Sequence, residues 1–220
     1  MVEKAAFYVD GFNLYHPINS LGEPHLKWLD LWKVGKLLIP SKSQKLVKVV
    51  YCTAYKKDDA EKTGRHKKYV AALEAQGVDC VFGHYIKAPE SCRACSSQWE
   101  VSREKQTDIN LALHLIVDGF AEIYDHAYLL SADSDQAATA KMFAQKFQSK
   151  KLTTVTPPGR NFSSSILQHT TLKLALNQNH LERCLLPATI FNDNASRVIT
   201  RRPDEYATPS GWVPPDKGKS

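Results

Sequence analysis

The sequence predicts an α/β fold with a central, mainly parallel five-stranded sheet. Short runs rich in apolar and β-branched residues alternate along the chain with segments of helical periodicity. This alternation is typical of βαβ units, whose right-handed crossovers place the strands in parallel. The chain has 220 residues, of which 43% are hydrophobic and 24% charged. A chain of this length and composition can bury a core without disulfides or metal.

The strand predictions rest on short apolar runs that end at turn residues. The run from Ala5 to Val9 ends at Asp10-Gly11 and is apolar at successive positions, which indicates a strand covered by helices on both faces. Pro157-Pro158-Gly159 ends the last run. The five predicted strands cover residues 5–9, 46–51, 78–86, 127–130 and 152–155.

The helix predictions rest on apolar spacing and on start and stop residues. Pro40 stops the first helix, and Gly77 follows the end of the second. Thr107-Asp108 begins a strongly periodic segment. The predicted helices cover residues 28–38, 58–76, 107–118, 136–147 and 163–176.

Two segments fall outside this alternation. The connection 87–106 is long for a loop between a strand and a helix, and the segment from Pro187 onward contains five prolines without clear periodicity. We therefore predict a domain over residues 1–180, with a Cys-containing insertion at 87–106, and a Pro-rich C-terminal extension over 181–220. We expect the end of this tail to be mobile. Docking of the tail on a protein partner, or on a second copy in a homodimer, stays open.

The composition also excludes several classes of protein. No apolar run reaches the roughly 18 residues that a membrane-spanning helix needs, and the first ten residues have no signal-peptide pattern. The five cysteines are an odd number and do not indicate a disulfide framework. We expect no membrane partner and a cytoplasmic location.

Positive charge is concentrated in one part of the chain. The formal net charge is +6, and the segment from Lys33 to Lys68 holds eleven Lys or Arg residues against three acids. Such a region favours a polyanionic partner, because neutralising phosphates releases counterions. A solvated helix face is an equally good explanation of the same composition.

Four aspartates are predicted to share one rim of the sheet. Asp10 ends the first strand, Asp133 and Asp135 follow the fourth, and Asp108 begins the helix that leads into the fourth. Where strand one lies beside strand four, the strand order reverses, and ligands bind at such a point in parallel α/β sheets. Two carboxylates ~4 Å apart repel by about 4 kcal/mol at an effective dielectric of ~20. The cluster should therefore raise a pKa or bind a hard cation such as Mg²⁺ or Mn²⁺.

Each acid also has a simpler explanation when it is taken alone. Asp108 is placed where it would complement a helix dipole, Asp133 and Asp135 are placed as helix N-caps, and Asp10-Gly11 is a turn signal. The convergence of all four on one rim favours the metal site.

Three segments carry a resemblance to a known family. Tyr8–Asn13, Glu104–Ile109 and Leu129–Asp135 resemble, in order and in placement on strands and a helix, the three motifs of the NYN domain. This domain is a branch of the PIN-like nuclease superfamily. The resemblance covers residues 5 to 176.

The resemblance implies a Rossmann-like, PIN-type three-layer fold and metal-dependent cleavage of RNA phosphodiesters. By position, Asp10, Asp108 and Asp133 match the acids that hold Mg²⁺ or Mn²⁺ in the family, and Asp135 matches the second acid of the third motif. Asn13 matches the asparagine that helps to hold the site. The implied mechanism is transfer of the phosphoryl group to water that the metal orients or deprotonates.

The sequence departs from the family pattern at two places. Ala132 stands where glycine is more usual, which the site should tolerate. Gln136-Ala137 replaces an apolar and aromatic pair, which affects local packing rather than the ligands.

Cys92-Arg93-Ala94-Cys95 has the spacing of half a zinc site. Cys52, at the end of strand two, and His84, near the end of strand three, are the candidates to complete it. Structural Zn²⁺ here would shape a wall of the substrate site. Two unrelated thiols in a surface loop are the alternative.

Basic and polar residues that follow strands two and five are candidate contacts to RNA. Lys56 and Lys57 follow strand two, and Arg160 and Asn161 follow strand five. We expect them to bind the phosphate backbone, with a nearby tyrosine available to stack on a base.

Two other functions are alternatives to an endoribonuclease. A non-catalytic RNA-binding or scaffold protein would gain nothing from four repelling acids that face phosphate. A phosphatase with an aspartyl nucleophile needs a second Asp two residues later, whereas Gly11-Phe12 follows Asp10.

Overall fold

The computed structural model describes residues 2–56, 58–192 and 194–215 and confirms the α/β class. Within these ranges, the strands and helices alternate largely as the sequence predicts. The strands are β1 (Glu3–Asp10), β2 (Gln44–Thr53), β3 (Asp79–Phe82), β4 (His84–Ser91), β5 (Gln98–Lys105), β6 (His126–Leu130), β7 (Lys151–Thr156), β8 (Leu172–Ala175), β9 (Thr189–Phe191) and β10 (Val198–Arg201). The helices are α1 (Gly11–Ser20), α2 (Leu31–Leu38), α3 (Ala60–Ala75), α4 (Thr107–Phe120), α5 (Ala137–Lys146), α6 (Ser164–Leu167) and α7 (Gln178–Glu182).

The central sheet is parallel and has six strands in the order β3-β2-β1-β6-β7-β8. β1 pairs with β2 on one side and with β6 on the other. The chain builds outward from β1 to β3 and then returns through α4 to β6, so the strand order reverses between β1 and β6. The predicted neighbourhood of the first strand and the strand before Asp133 is therefore confirmed.

Helices cover both faces of this sheet and give three layers. Alternate residues of β1 point to opposite faces, as the period of two requires. Phe7 and Val9 belong to the core that α1, α2, α3 and α7 cover, whereas Tyr8 belongs to the core under α4, α5 and α6. Every residue from Ala5 to Asp10 is buried, which explains the continuous apolar run.

Side-chain caps fix where the first helices begin. Asp10, Asp30 and Asp59 each accept a hydrogen bond from the backbone N–H three residues later, at the starts of α1, α2 and α3. Such caps satisfy N–H groups that the first turn of a helix leaves free. α1 was not predicted because Pro17 and the polar residues around Asn13 weaken its helical pattern.

The predicted helix over 163–176 is wrong, and the sheet has six strands rather than five for this reason. Only Ser164–Leu167 is helical, and Leu172–Ala175 forms β8 beside β7. The sequence alternates there between Leu and polar or small residues, a pattern that serves a strand as well as a helix. Hydrogen bonding to the edge of β7 stabilises the strand rather than the helix.

The connection 87–106 is a β-hairpin rather than a loop. β4 and β5 pair from His84–Lys105 at the base to Ser91–Gln98 at the tip. The predicted third strand, 78–86, is divided at Gly83, where a Cβ would lie 2.4 Å from the carbonyl oxygen of Lys105. Both faces of the hairpin are largely polar, so it shows no buried apolar face in the sequence.

Part of the predicted C-terminal extension packs on the domain. Leu181, Cys184, Leu186 and Ile190 are buried in the core beside β1 and β2. Trp28 donates its indole N–H to the carbonyl oxygen of Pro187 at 2.9 Å. Residues 204–206 form a 3₁₀ helix. The end of the tail from residue 216 onward, for which mobility is predicted, lies outside the described residues.

No helix in the described part of the chain combines the length and apolarity that a membrane span requires.

Candidate active site

A cleft of about 960 Å³ opens at the carboxyl ends of β1 and β6. We call it the acidic cleft, because Asp10, Asp108 and Asp133 line it together with Glu104. The three aspartates come from the end of β1, the first turn of α4 and the segment after β6. They are the residues predicted to hold the metal, and the fold brings them to one cavity.

Asp10 is held in place by two hydrogen bonds. It is 4% exposed. One carboxylate oxygen accepts from the backbone N–H of Asn13 at 2.9 Å, and the other accepts from the Ser131 hydroxyl at 3.0 Å. Gly11 lets α1 start directly against β2, since a Cβ there would lie 2.6 Å from the carbonyl oxygen of Cys52.

Ser131 and Asn13 tie the segment after β6 to β1. The Ser131 hydroxyl also accepts from the backbone N–H of Asp133 at 3.1 Å, and the Asn13 side-chain oxygen accepts from the N–H of Ala132 at 2.8 Å. The Asp133 carboxylate in turn accepts from the N–H of Asp135 at 3.0 Å. These bonds set the position of Asp133 relative to Asp10.

Like charges and burial act on these carboxyl groups. Burial raises the pKa of Asp10 to about 6, with Asp108 and Asp133 adding to the effect and the Asn13 and Ser131 hydrogen bonds opposing it. Burial also raises the pKa of Asp108, and so do the negative charges of Asp133, Glu104 and Asp135. The cleft is therefore a place where negative charge is costly, as the sequence argument expected.

The base of the hairpin forms one wall of the cleft. Tyr85 and Ser102 line the cleft beside Glu104, which accepts hydrogen bonds from the backbone N–H and the hydroxyl of Thr107. Gln106 takes a left-handed backbone conformation, with φ 76°, between β5 and α4. This turn places Glu104 and Asp108 at the same cavity.

The predicted RNA contacts divide between two places. Arg160 and Asn161 line the acidic cleft together with the aspartates. Lys56 lines a neighbouring cavity and forms an ion pair with Asp58 at 3.8 Å. Lys57 lies outside the described residues.

Asp135 is exposed and does not line the cleft. Its backbone N–H donates a hydrogen bond to the Asp133 carboxylate. Its negative charge contributes to the raised pKa of Asp108.

The four predicted zinc ligands are not brought together. Cys92 and Cys95 lie in the turn at the hairpin tip, whereas His84 lies at its base, about 23 Å away at the usual rise per strand residue. Cys52 is buried at the end of β2. The Cys95 thiol instead lies 3.1 Å from the Ser97 hydroxyl.

Among residues 2–56, 58–192 and 194–215, no three His, Cys, Asp or Glu side chains are arranged closely enough to hold a metal ion. The donor set of the acidic cleft is nevertheless made of carboxylate oxygens, without thiolate. Mg²⁺ commonly binds through one or two carboxylates and keeps several waters, so such a site does not need a closed protein cage.

Sequence reasoning missed two residues of the site. Ser131 is fully buried and bridges Asp10 to the backbone of Asp133. Glu104 lines the cleft as a fourth carboxylate. The position of Ser131, a hydroxyl directly after the buried run 127–130, could have indicated its role. The position of Glu104 within the second motif could have indicated the fourth carboxylate.

Comparison with known proteins gives a family match over most of the chain. A family model described as the NYN domain matches residues 4–168. This range includes all three motifs and the four aspartates of the sequence prediction.

Two individual proteins are similar to this chain. One is 6-hydroxy-3-succinoylpyridine 3-monooxygenase HspA from Pseudomonas putida (strain DSM 28022 / S16), which is 25% identical and covers 92% of this chain and 75% of its own length. The other is a crystal structure of a protein of unknown function, VPA0982, from Vibrio parahaemolyticus RIMD 2210633. It has a TM-score of 0.53 and 18% identity, and the match covers 84% of this chain and 97% of that one. At this identity the second likeness concerns the fold alone.

Proposed function

The chain belongs to the NYN domain family of PIN-like nucleases, and from this premise we propose that it is a metal-dependent endoribonuclease. The RNA phosphodiester would be hydrolysed in the acidic cleft. The observation that carries the proposal is the convergence of Asp10, Asp108 and Asp133, from three distant segments, on one cavity. Their mutual repulsion fits a site whose ligand is a cation.

The cleft residues fit Mg²⁺ or Mn²⁺. Asp10, Asp108 and Asp133 offer oxygen donors, and water molecules would complete the coordination. When bound, the ion would polarise a non-bridging phosphate oxygen and favour ionisation of a water nucleophile. The raised pKa values of Asp10 and Asp108 mean that cation binding and loss of their protons go together.

The remaining residues position the substrate and the acids. Arg160, which lines the acidic cleft, would bind a phosphate oxygen of the substrate. Ser131 and Asn13 act on the reaction through the hydrogen bonds that hold Asp10 and the segment 132–133. They are positioning residues by this argument.

The name of the Pseudomonas relative describes a different reaction, an oxygenation of a pyridine ring. At 25% identity, that name gives a substrate to test beside RNA.

The test is cleavage of a circular single-stranded RNA, which has no ends for an exonuclease. We expect the wild type with Mn²⁺ to linearise the circle, and we expect chelator or Asp10→Asn to abolish cleavage. Asp125→Asn is the matched control, because Asp125 precedes β6 at the opposite edge of the sheet and bonds the backbone of Lys4. Equal cleavage by wild type and Asp10→Asn, or cleavage that survives chelator, contradicts the proposal.

A further inference from the structure

A second cavity, of about 580 Å³, adjoins the acidic cleft. We call it the aromatic pocket. Leu14 and Ile18 of α1 and Leu29 are among the apolar residues that line it. Four side chains line both cavities, so the two are adjacent: Phe12, His16, Tyr85 and Ser102.

Aromatic rings form the walls of this pocket. Tyr15 is 40% exposed, and Tyr206 reaches the pocket from the C-terminal 3₁₀ helix. Phe12 and Tyr85 meet edge to face at the junction with the acidic cleft, with ring centroids 6.0 Å apart. Rings that keep part of a face open offer stacking platforms for a flat ligand.

The same pocket is positively charged. Lys27, Lys56, Lys62 and Arg65 line it, against one carboxylate, Glu205. Arg65 pairs with Glu205 at 2.7 Å, and Lys56 and Lys62 pair with Asp58 and Asp59, which do not line the pocket. Lys27 donates a hydrogen bond to the uncharged side chain of Asn19. Burial lowers the pKa of Lys27, and the charges of Arg65 and Lys62 add to the effect.

The charges of the two cavities are therefore opposite. The acidic cleft suits a cation and the phosphate that it binds, whereas the aromatic pocket offers rings on which a base can stack and basic side chains for the phosphates that flank the base. The Lys27 ammonium lies over the rings of Tyr15 and Tyr206, 5.4 Å and 5.8 Å from their centroids. A ligand stacked on Tyr15 would thus have a cation close to it. The volume lies within the usual range of small-ligand pockets, about 300–1,000 Å³.

We propose that the aromatic pocket holds an unpaired nucleobase of the RNA strand, next to the phosphate that occupies the acidic cleft. This inference rests on the proposed function and adds to it a site for a base beside the acidic cleft. A base inside a duplex is stacked and paired, so it cannot enter a pocket between side chains without being extruded. Because Phe12 and Tyr85 line both cavities, a base in the aromatic pocket and its neighbouring phosphate in the acidic cleft can belong to one strand.

The test measures binding without cleavage. A fluorescent ten-nucleotide single-stranded RNA is titrated in chelator with wild type, Tyr15→Ala, Tyr15→Phe and Phe191→Ala. Stacking of a base on a ring is worth about 1–3 kcal/mol, so Tyr15→Ala should weaken binding roughly 5- to 150-fold. Tyr15→Phe keeps the ring and should bind like the wild type. Phe191 is an exposed ring on β9, away from both cavities, and its replacement should change nothing.

A second measurement addresses the charge. Lys62→Gln should flatten the salt dependence of binding by roughly 0.7 in the slope of log K against log salt, because one phosphate contact on a single strand is lost. Lys141→Gln on α5, an exposed position outside the pocket, is the matched control.

The outcomes separate this inference from the proposed function. Unchanged affinity in Tyr15→Ala overturns the pocket assignment even if the wild type cleaves RNA. Loss of affinity in Tyr15→Ala with an inactive wild type supports the pocket and overturns the nuclease. Binding of a free pyridine carboxylate that requires Tyr15, with RNA affinity unaffected by the same change, would assign the pocket to a small molecule and overturn this inference.

Discussion

Replacing Asp10 by Asn should stabilise the metal-free protein while it abolishes cleavage. Burial raises the folded-state pKa of Asp10 to about 6, against the ordinary value of 3.8 for an aspartate. The carboxylate is therefore harder to ionise in the folded chain than in the unfolded one. Each pKa unit corresponds to about 1.36 kcal/mol, so the charged form costs the fold at most about 3 kcal/mol above pH 7. Asn removes this charge and keeps an oxygen that can accept from the Asn13 N–H.

The sign of the pH dependence follows from the raised pKa. Below the unfolded pKa both states are protonated and Asp10 carries no penalty. The free-energy penalty grows as the pH rises from the unfolded pKa to the folded pKa, and it stays constant at higher pH. The advantage of Asp10→Asn should therefore increase from about 1.5 kcal/mol at pH 5 to about 3 kcal/mol above pH 7, as calculated by linkage.

The assay is urea unfolding in chelator from pH 5 to pH 8, with melting curves beside it. A gain of about 3 kcal/mol corresponds to roughly 6–12 °C for a chain of this size. Asp135→Asn is the control, because that side chain is exposed and its loss should stay within about 0.5 kcal/mol. Adding Mn²⁺ should raise the melting temperature of the wild type and leave that of Asp10→Asn unchanged. The reasoning is refuted if Asp10→Asn is no more stable than the wild type at pH 7, or if its advantage is the same at pH 5.

Three further changes test other parts of the structure. Ser131→Ala removes a hydrogen bond to the Asp10 carboxylate, worth about 1.5–3 kcal/mol for a charged acceptor. The acidic limb of the pH–rate profile should therefore move up by about one to two pH units, whereas Ser149→Ala, at an exposed position outside the cleft, should leave it in place. Gly11→Ala should destabilise the fold by about 1–3 kcal/mol, because the new Cβ would collide with the carbonyl oxygen of Cys52. Gly64→Ala, in open space within α3, should stabilise the fold by about 0.5–1 kcal/mol. Equal melting temperatures for the two variants would contradict this reasoning. Cys92→Ser and Cys95→Ser should leave the melting temperature within about 1–2 °C of the wild type, because Cys95 is exposed and Cys92 only half-buried at the hairpin tip. A larger loss, reversed by Zn²⁺, would restore the zinc hypothesis.

The sequence was informative where one local pattern determined the outcome. An apolar strand followed by Asp at position 10, and a second followed by Asp at 133, place two carboxylates at one edge of any parallel sheet. Only their adjacency depended on the strand order, and β1 does pair with β6. The family resemblance is confirmed by the match over residues 4–168.

The remainder depended on contacts between distant segments. Residues 172–175 become a strand because β7 offers an open edge, and residues 84–105 form a hairpin because each strand pairs with the other. The zinc prediction failed to account for the length of those strands, which separates His84 from Cys92. The aromatic pocket combines Tyr15, Tyr85 and Tyr206, which are far apart in the chain, so no local pattern indicated it.

The hydrophobic core of this protein includes residues beyond the end of the segment that the NYN family model matches. The family match ends at residue 168, yet Leu181, Leu186 and Ile190 fill the core, and the backbone of Leu186 is bonded to that of Trp28. Truncation at residue 168, where the family match ends, would expose the apolar surface around Trp28 to water. The wall of the aromatic pocket that Tyr206 supplies also lies beyond that boundary. A chain with the same acidic cleft and a different tail would therefore have a different wall in the neighbouring pocket.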